Sequence, residues 1–359
     1  FTASPGINEW FETVKLNYGV DIQNGRKTYF DPVPDTWHKM KDILIFWAGK
    51  RVDGFRCDMA EMVPVEFWQW AIPQVKAVNP NIVFIAEIYN PTQYTNYIQT
   101  GKFDFLYDKV QLYDTLRFLL QGQRSTADIH EIQTSLAGIN QHMLHFLENH
   151  DEQRLASRFF AGDMWKGVPA MVISATIDRA PVMIYFGQEV GEPGLGTEGF
   201  QGDDGRTTIF DYWGVPEHQK WMNGGKFDGA LLNAEQKRLR QFYSTLLNLS
   251  KSNPAVVHGA YEDLTVFNIS NNNFNNSVHA FVRYAAEEKL VIVSSFNAKE
   301  QVVKIQLPEV VVQKLQLTTG TAYTVQDLLG SDALVNFGPE SFTIEMKLKP
   351  YSSYIFKIQ

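Results

Sequence analysis

The chain has a single cysteine, Cys57, among 359 residues. That excludes an internal disulfide and leaves the redox compartment open. Long apolar runs are also lacking. The longest, Val168 to Gly187, is broken by Asp178 and Arg179, so it is too polar to span a bilayer. No signal-peptide pattern opens these residues, and the location stays open between secreted or periplasmic and cytoplasmic. Basic residues are not in excess. The formal net charge is −8, which argues against nucleic acid as a partner and is indifferent to a neutral ligand. No internal repeat is found.

What is present is ordinary globular composition. Apolar residues make up 44% and charged residues 20%, enough for a buried core, and the length suits two or three domains. The 8 Trp, 15 Tyr and 25 Phe could stack on sugar rings, but cores use aromatics far more often.

Up to about residue 250, short apolar runs alternate with helical patterns. Arg51–Asp58, Ile82–Tyr89, Phe103–Tyr107, Met143–Leu147 and Pro181–Phe186 read as strands. A helix is expected over Asp35–Ala48, with Asp35 as N-cap and Trp37, Met40, Leu44 and Trp47 on one face. Another is expected over Ala234–Leu249, opened by a capping box of Asn233 and Gln236, with Leu239, Phe242, Leu246 and Leu249 sharing a face. Alternating strands and helices imply a parallel sheet or barrel. A (β/α)8 barrel spends about 250 residues on eight units, roughly 31 each. Asp58 to Glu87 is 29 residues, about one unit.

After Asn253-Pro254 the pattern changes. Leu264–Ile269, Val278–Tyr284, Leu290–Phe296, Val302–Leu307, Phe342–Leu348 and Ser353–Ile358 read as strands joined by Asn- and Gly-rich turns. This predicts a separate antiparallel β-sandwich. Residues 1–253 are thus expected to belong to a barrel and residues 254–359 to the sandwich.

Polar residues close the barrel strands, at the end where barrel active sites lie. In Gly54-Phe55-Arg56-Cys57-Asp58, strand alternation puts Arg56 and Asp58 on one face. An arginine keeps a neighbouring carboxylate ionised, as a nucleophile requires; a structural ion pair would look the same. Glu87 follows the apolar run Val83-Phe84-Ile85-Ala86. A carboxyl leaving an apolar wall tends toward a raised pKa, as a general acid needs. It could equally be a strand-end residue facing solvent. Carboxylates on adjacent strands can approach within the ~5–5.5 Å that retaining glycosidases use. Asn149-His150-Asp151 closes a further strand. There His150 reads either as a ligand contact or as a satisfied buried histidine. No second histidine stands at metal-ligand spacing from it.

Three segments, Gly54–Asp58 (GFRCD), Ala86–Tyr89 (AEIY) and Glu148–Arg154 (ENHDEQR), in this order, resemble three short motifs of the α-amylase family of glycoside hydrolases, family 13. Val14–Tyr18 resembles the segment before that family's fourth barrel strand, and Ala180–Gly191 its eighth strand. Ser252–Gly259 resembles its entry into the C-terminal β-domain, and Pro350–Ile358 its last strand. The resemblance implies the C-terminal part of a (β/α)8 TIM-type barrel, about strands 4–8, followed by an all-β sandwich. It implies Asp58 as nucleophile, Glu87 as acid/base and Asp151 as the carboxylate that stabilises the transition state. Arg56 would support the nucleophile, and His150 would hydrogen-bond the sugar ring.

The implied reaction is double displacement at an α-glucosidic bond of starch-like glucans or maltooligosaccharides, through a covalent glycosyl-enzyme. The acceptor is water or another sugar. The chemistry requires no cofactor. Two rivals stand: a catalytically silent relative used for binding or assembly, and an unrelated metal-dependent barrel hydrolase, which the lack of a histidine cluster disfavours.

The sequence departs from the family pattern in two places. The first motif, a strand ending in Asp with Asn-His soon after, is absent. The chain is therefore expected to lack the first three barrel strands, with the missing segment supplied by the same full-length protein. Glu61 and Met62 stand where many α-amylases have Lys-His. Structural calcium is left open, with no support from this segment.

Overall fold

The computed structural model describes residues 16–197, 202–207, 214–331, 335–338 and 340–359. Two compact units divide the chain, Phe1–Tyr107 and Asp108–Gln359. Val14 and Lys15, in the first of the resembling segments, lie outside the described residues.

The first unit is built from β/α repeats. Helix α1 (Asp35–Gly49) leads into strand β1 (Gly54–Cys57). Helix α2 (Val65–Val78) leads into β2 (Val83–Ala86), and β3 (Phe105–Tyr107) follows. β1, β2 and β3 pair in parallel, with Phe55 opposite Phe84 and Ala86 opposite Leu106. Parallel strands covered on their faces are apolar throughout, and Phe84 and Ala86 are fully buried. α2 turns Phe67, Trp68, Ile72 and Val75 inward. Trp68 meets Phe103 edge-on at 4.9 Å, and Trp37 of α1 meets Phe67 at 5.7 Å.

Two details of α1 differ from the sequence reading. Pro34 takes the cap position, and Asp35 is the first helical residue, paired with Lys39 at 2.5 Å. Proline's fixed φ suits the approach to a helix, and the acid still favours the positive helix end. Trp47 is 49% exposed and lies with exposed Ile43 and Phe46, while Trp37 and Ala48 are the buried positions.

In the second unit, β4 (Met143–Phe146) and β5 (Val182–Met183) pair in parallel. Between them, helix α3 (Val168–Thr176) is buried at every position. Helix α4 (Ala234–Ser252) opens with the expected capping box, Asn233 accepting from the Gln236 N–H and Gln236 from the Asn233 N–H. Leu239, Tyr243 and Leu246 form its buried stripe.

The antiparallel part begins at β6 (Ala260–Asp263). β7 (Val278–Tyr284), β8 (Lys289–Ser295), β10 (Val325–Asp327) and β13 (Ser353–Ile358) join it in a five-stranded sheet of order β10-β13-β8-β7-β6, and β9 (Gln301–Gln306), β11 (Val335–Gly338) and β12 (Thr343–Leu348) form a second sheet of order β9-β12-β11. Val303 and Ile305 of β9 point inward while Val302 and Lys304 face out, the period-2 pattern of a half-buried strand. They pack with Val278, Ala280, Val282, Ile344 and Met346 into one core. β8 is buried on both faces, because α3 covers its other side.

The segment expected as a strand over Leu264–Ile269 is instead helical from Thr265 to Ser270, here α5. Its polar residues explain the change. Thr265 Oγ1 accepts from the Ala280 N–H at 3.0 Å, and Asn268 Oδ1 accepts from the Gln306 N–H at 2.8 Å. The buried side chains thus take the hydrogen bonds a ladder would have supplied. The strand partner of β7 falls one segment earlier, at β6.

Arg283, on β7, is 1% exposed and spends its guanidinium on backbone carbonyls: Ile177 (2.8 Å), Ala255 (3.1 Å), Val256 (2.8 Å) and Gly259 (3.1 Å). It fastens the sheet to the end of α3 and to the 255–259 connection. Burial pushes its pKa down to about 10, against the pull of Asp178. Arg283→Met would strand these buried carbonyls, each costing ~1–3 kcal/mol. The variant is expected to lose about 3 kcal/mol or more in urea unfolding; a loss below about 1 kcal/mol contradicts this role.

Candidate active site

β1 ends at Cys57, and Met59 then takes a left-handed φ of 42°. The turn aims two backbone N–H groups at Glu87: Met59 N–H donates to Oε2 at 2.9 Å, and Ala60 N–H to the Glu87 carbonyl at 3.1 Å. Glu87 itself stands one residue past β2, its N–H on the Cys57 carbonyl at 3.1 Å. Its side chain is nearly sealed, with the residue 3% exposed, so it does not face solvent. Tyr89 Oη donates to Oε1 at 3.0 Å, and Arg56 Nη2 lies 3.0 Å from the same oxygen. The carboxylate is therefore ringed by donors as well as by the apolar strand.

Arg56 bridges the two acids. Its Nη1 pairs with Asp58 Oδ1 while its Nη2 reaches Glu87. One guanidinium thus holds Asp58 and Glu87 on the same face, as strand alternation predicts for Arg56 and Asp58. Burial works against the Arg56 charge, but the hydrogen bond to Asp58 and the charges of Glu87 and Tyr107 outweigh it and hold its pKa above the usual arginine value. The Tyr107 ring lies under the guanidinium, 5.3 Å from its centroid. The Asp58 side chain is 72% exposed, open to a reacting partner, whereas Glu87 is enclosed. Cys57 points the other way and is buried, and burial pushes its thiol up to about 12, which leaves it unreactive.

Two contributors are not singled out by the sequence. Glu61, noted there only as a departure, accepts from the Tyr89 and Asn90 N–H groups, both at 3.1 Å. It shapes the chain that carries the Tyr89 hydroxyl to Glu87. Met62 is 73% exposed.

His150 and Asp151 belong to the second unit, after β4. Asn149 is buried, and its Oδ1 accepts from the Asp151 and Glu152 N–H groups, both at 2.8 Å. That Asx turn ends the strand before His150, the condition under which adjacent residues can serve one site. His150 Nε2 lies 3.1 Å from Asp151 Oδ2, and both side chains are about one-third exposed. His150 is therefore not a core histidine. The turn's feet, Glu148 and Arg154, form a fully buried ion pair at 2.8 Å. Burial pushes the Glu148 carboxyl up to about 7 against the pull of Arg154. Both residues stand in the ENHDEQR segment, six apart, but spacing alone does not announce the pair.

Among the described residues, no group of three or more His, Cys, Asp or Glu could hold a metal ion, and no helix is long and apolar enough to cross a membrane.

Beneath the turn, His145 of β4 lies 3.7 Å from Asp108 and 3.5 Å from Asp178, with Nδ1 at 2.9 Å from the Ser174 carbonyl. Asp108 is 1% exposed, and burial pushes it up to about 6 despite His145 and the Leu112 N–H. A raised carboxyl favours the folded state when protonated. Its contribution is complete below about pH 4 and is lost as pH rises through about 6. Asp108→Asn keeps the volume and removes the titration. The variant is expected to flatten the pH dependence of the thermal midpoint between about pH 4 and 6; a slope equal to the wild type's contradicts the assignment.

Residues 32–259, more than half of the chain, match the family model described as alpha amylase, catalytic domain. Alpha-amylase 3 of Dictyoglomus thermophilum is 25% identical over 288 residues, covering 74% of this chain and 54% of that protein. An alpha-1,4-glucan:maltose-1-phosphate maltosyltransferase of Cereibacter sphaeroides is 32% identical over 95 residues, 23% of this chain and 15% of that one. In fold, the chain is similar to the crystal structure of alpha-amylase from H. orenii, with a TM-score of 0.65 at 17% identity over 93% of this chain and 66% of that chain. It spans about half the length of the first of these relatives. The parallel β/α strands followed by antiparallel sheets are those of an incomplete (β/α)8 barrel with a C-terminal β-sandwich. The chain belongs to the α-amylase family of glycoside hydrolases, family 13, and carries part of its catalytic domain.

Proposed function

We propose that this chain carries the carboxylates of a retaining enzyme acting on α-glucosidic bonds of starch-like glucans or maltooligosaccharides. The observation that carries the reading is the Arg56 bridge, which holds one exposed and one enclosed acid on a single face. Asp58, kept anionic and open, attacks the anomeric carbon. Glu87 gives its proton to the leaving oxygen, which departs. Glu87 then takes a proton from the incoming acceptor, which displaces Asp58 with a second inversion, so the α configuration is retained. Asp151 and His150 bind sugar hydroxyls as positive charge develops at the ring. No step is routed through a metal.

The acceptor separates two outcomes. Water gives hydrolysis. A sugar hydroxyl gives transglycosylation, which the likeness to a maltosyltransferase keeps in view. We also propose the domain boundary between residues 253 and 254. Asn253 ends α4 and caps the short helix Pro254–Val257, and the antiparallel strands start soon after. On α1, exposed Ile43, Phe46 and Trp47 form an apolar face, and among the described residues β1 pairs only with β2. Further barrel units from the same full-length protein would cover that face and edge.

Mutagenesis of the full-length protein tests the roles. Asp58→Asn is expected to abolish the covalent intermediate. Glu87→Gln should lose about 10²–10⁴-fold on unactivated substrates. It should still glycosylate Asp58 from activated aryl or fluoride glycosides, and the intermediate should accumulate. Azide, which needs no base, should then restore turnover and give the α-glycosyl azide. Azide rescue of Asp58→Asn but not of Glu87→Gln would reverse the two roles.

A further inference from the structure

The turn that carries His150 and Asp151 is short, polar and part exposed. Turns of this kind are set by what grips their ends. Here the grip is buried. Arg154 Nη1 donates to Glu148 Oε2 at 2.8 Å, closing the segment from 148 to 154 at its feet. The other oxygen, Glu148 Oε1, accepts the Leu155 N–H at 2.7 Å. Arg154 is 0% exposed, and its remaining donors leave the turn. Nη1 also reaches the Phe186 carbonyl at 2.8 Å, just past β5. Nε and Nη2 both reach Thr207 Oγ1, at 3.0 and 2.8 Å. The Arg154 N–H takes the Gly205 carbonyl at 2.8 Å.

The 205–207 segment so gripped holds Asp151 in turn. Arg206, between the two residues that Arg154 binds, donates from Nε to the Asp151 carbonyl at 2.6 Å and pairs with Asp204 at 2.6 Å. Two glycines let the parts close. A Cβ on Gly205 (φ +84°) would meet Ser157 Oγ at 2.2 Å, and one on Gly194 (φ +62°) would meet the Gly205 carbonyl oxygen at 2.5 Å and Arg154 Cγ at 3.0 Å. Asp151 is thus held twice from one guanidinium: through the turn's own feet and through Arg206.

A buried ion pair adds little net stability over apolar side chains of the same volume. What a planar guanidinium adds is direction, since its fork fixes several acceptors at once. The geometry points to Glu148 and Arg154 as positioning residues that set the His150–Asp151 turn. This role rests on the reading of those two residues as substrate-binding groups.

The test uses the full-length protein and separates geometry from stability. The double variant Glu148→Met, Arg154→Met keeps volume and removes the fork. Arg154→Lys keeps the charge and removes the fork. Three quantities are read: the thermal midpoint, the imidazole NMR signals of His150, and kcat and KM on maltooligosaccharides. The double variant is expected to keep its thermal midpoint, to shift and broaden the His150 signals, and to lose kcat by about 10²-fold with a smaller change in KM. Arg154→Lys should move the same readings less. Folded variants with unmoved His150 signals overturn the inference, whether or not kcat falls. If the double variant does not fold, Arg154→Lys decides by the same signals. If the wild type turns over no α-glucan, the proposed function fails on its own. The His150 signals of Arg154→Lys then still decide the clasp, supporting it if they move and overturning it if they do not.

Discussion

A carboxylate removed from water must recover in donors what it loses in hydration. Glu87, 3% exposed, sets this constraint, and much of its surroundings follows from it. The left-handed Met59 delivers a backbone N–H, Tyr89 a hydroxyl and Arg56 a charge. Each of these has its own support. Glu61 fixes the backbone that bears Tyr89, and the Tyr107 ring underlies Arg56. Asp58 shares the Arg56 guanidinium but stays open, so the same arginine serves an enclosed acid and an exposed one. Two chemically similar carboxylates acquire different environments, the condition for giving them different tasks.

Buried arginine recurs as the fastener of the second unit. Arg154 gathers the ends of β4 and β5 with the 205–207 segment, and Arg283 gathers α3, the 255–259 connection and the antiparallel sheet. Both spend donors on backbone carbonyls that no ladder satisfies. A guanidinium suits this work because it presents five N–H donors in one plane. The cost of enclosing its charge is offset only when nearly all of them are used. That is why each of these arginines touches several segments.

Much of the site was legible because strand geometry is local. Period-2 alternation puts Arg56 with Asp58 and sends Phe55 and Cys57 to the other face, and the structure keeps that arrangement. The capping box at Asn233 and Gln236 is equally local and forms as read. Reading failed where a residue's partner is remote. Leu264–Ile269 has a strand-like pattern, but Thr265 and Asn268 find partners on β7 and β9 and the segment coils. Trp47 fits the helical stripe of α1 by spacing, yet its exposure depends on neighbours that spacing does not name.

By itself, then, the sequence determined the order of strands and helices, the change to antiparallel strands after residue 253, and the identity and spacing of the acids, because these follow from nearest-neighbour periodicity. Only the tertiary structure decided that Glu87 is enclosed and Asp58 open, that Glu61 supports Tyr89, and that Glu148 and Arg154 meet beneath His150 and Asp151. Burial and charge pairing are properties of what surrounds a residue in space. In a chain of β/α units the surroundings come from residues roughly 30 or more positions away.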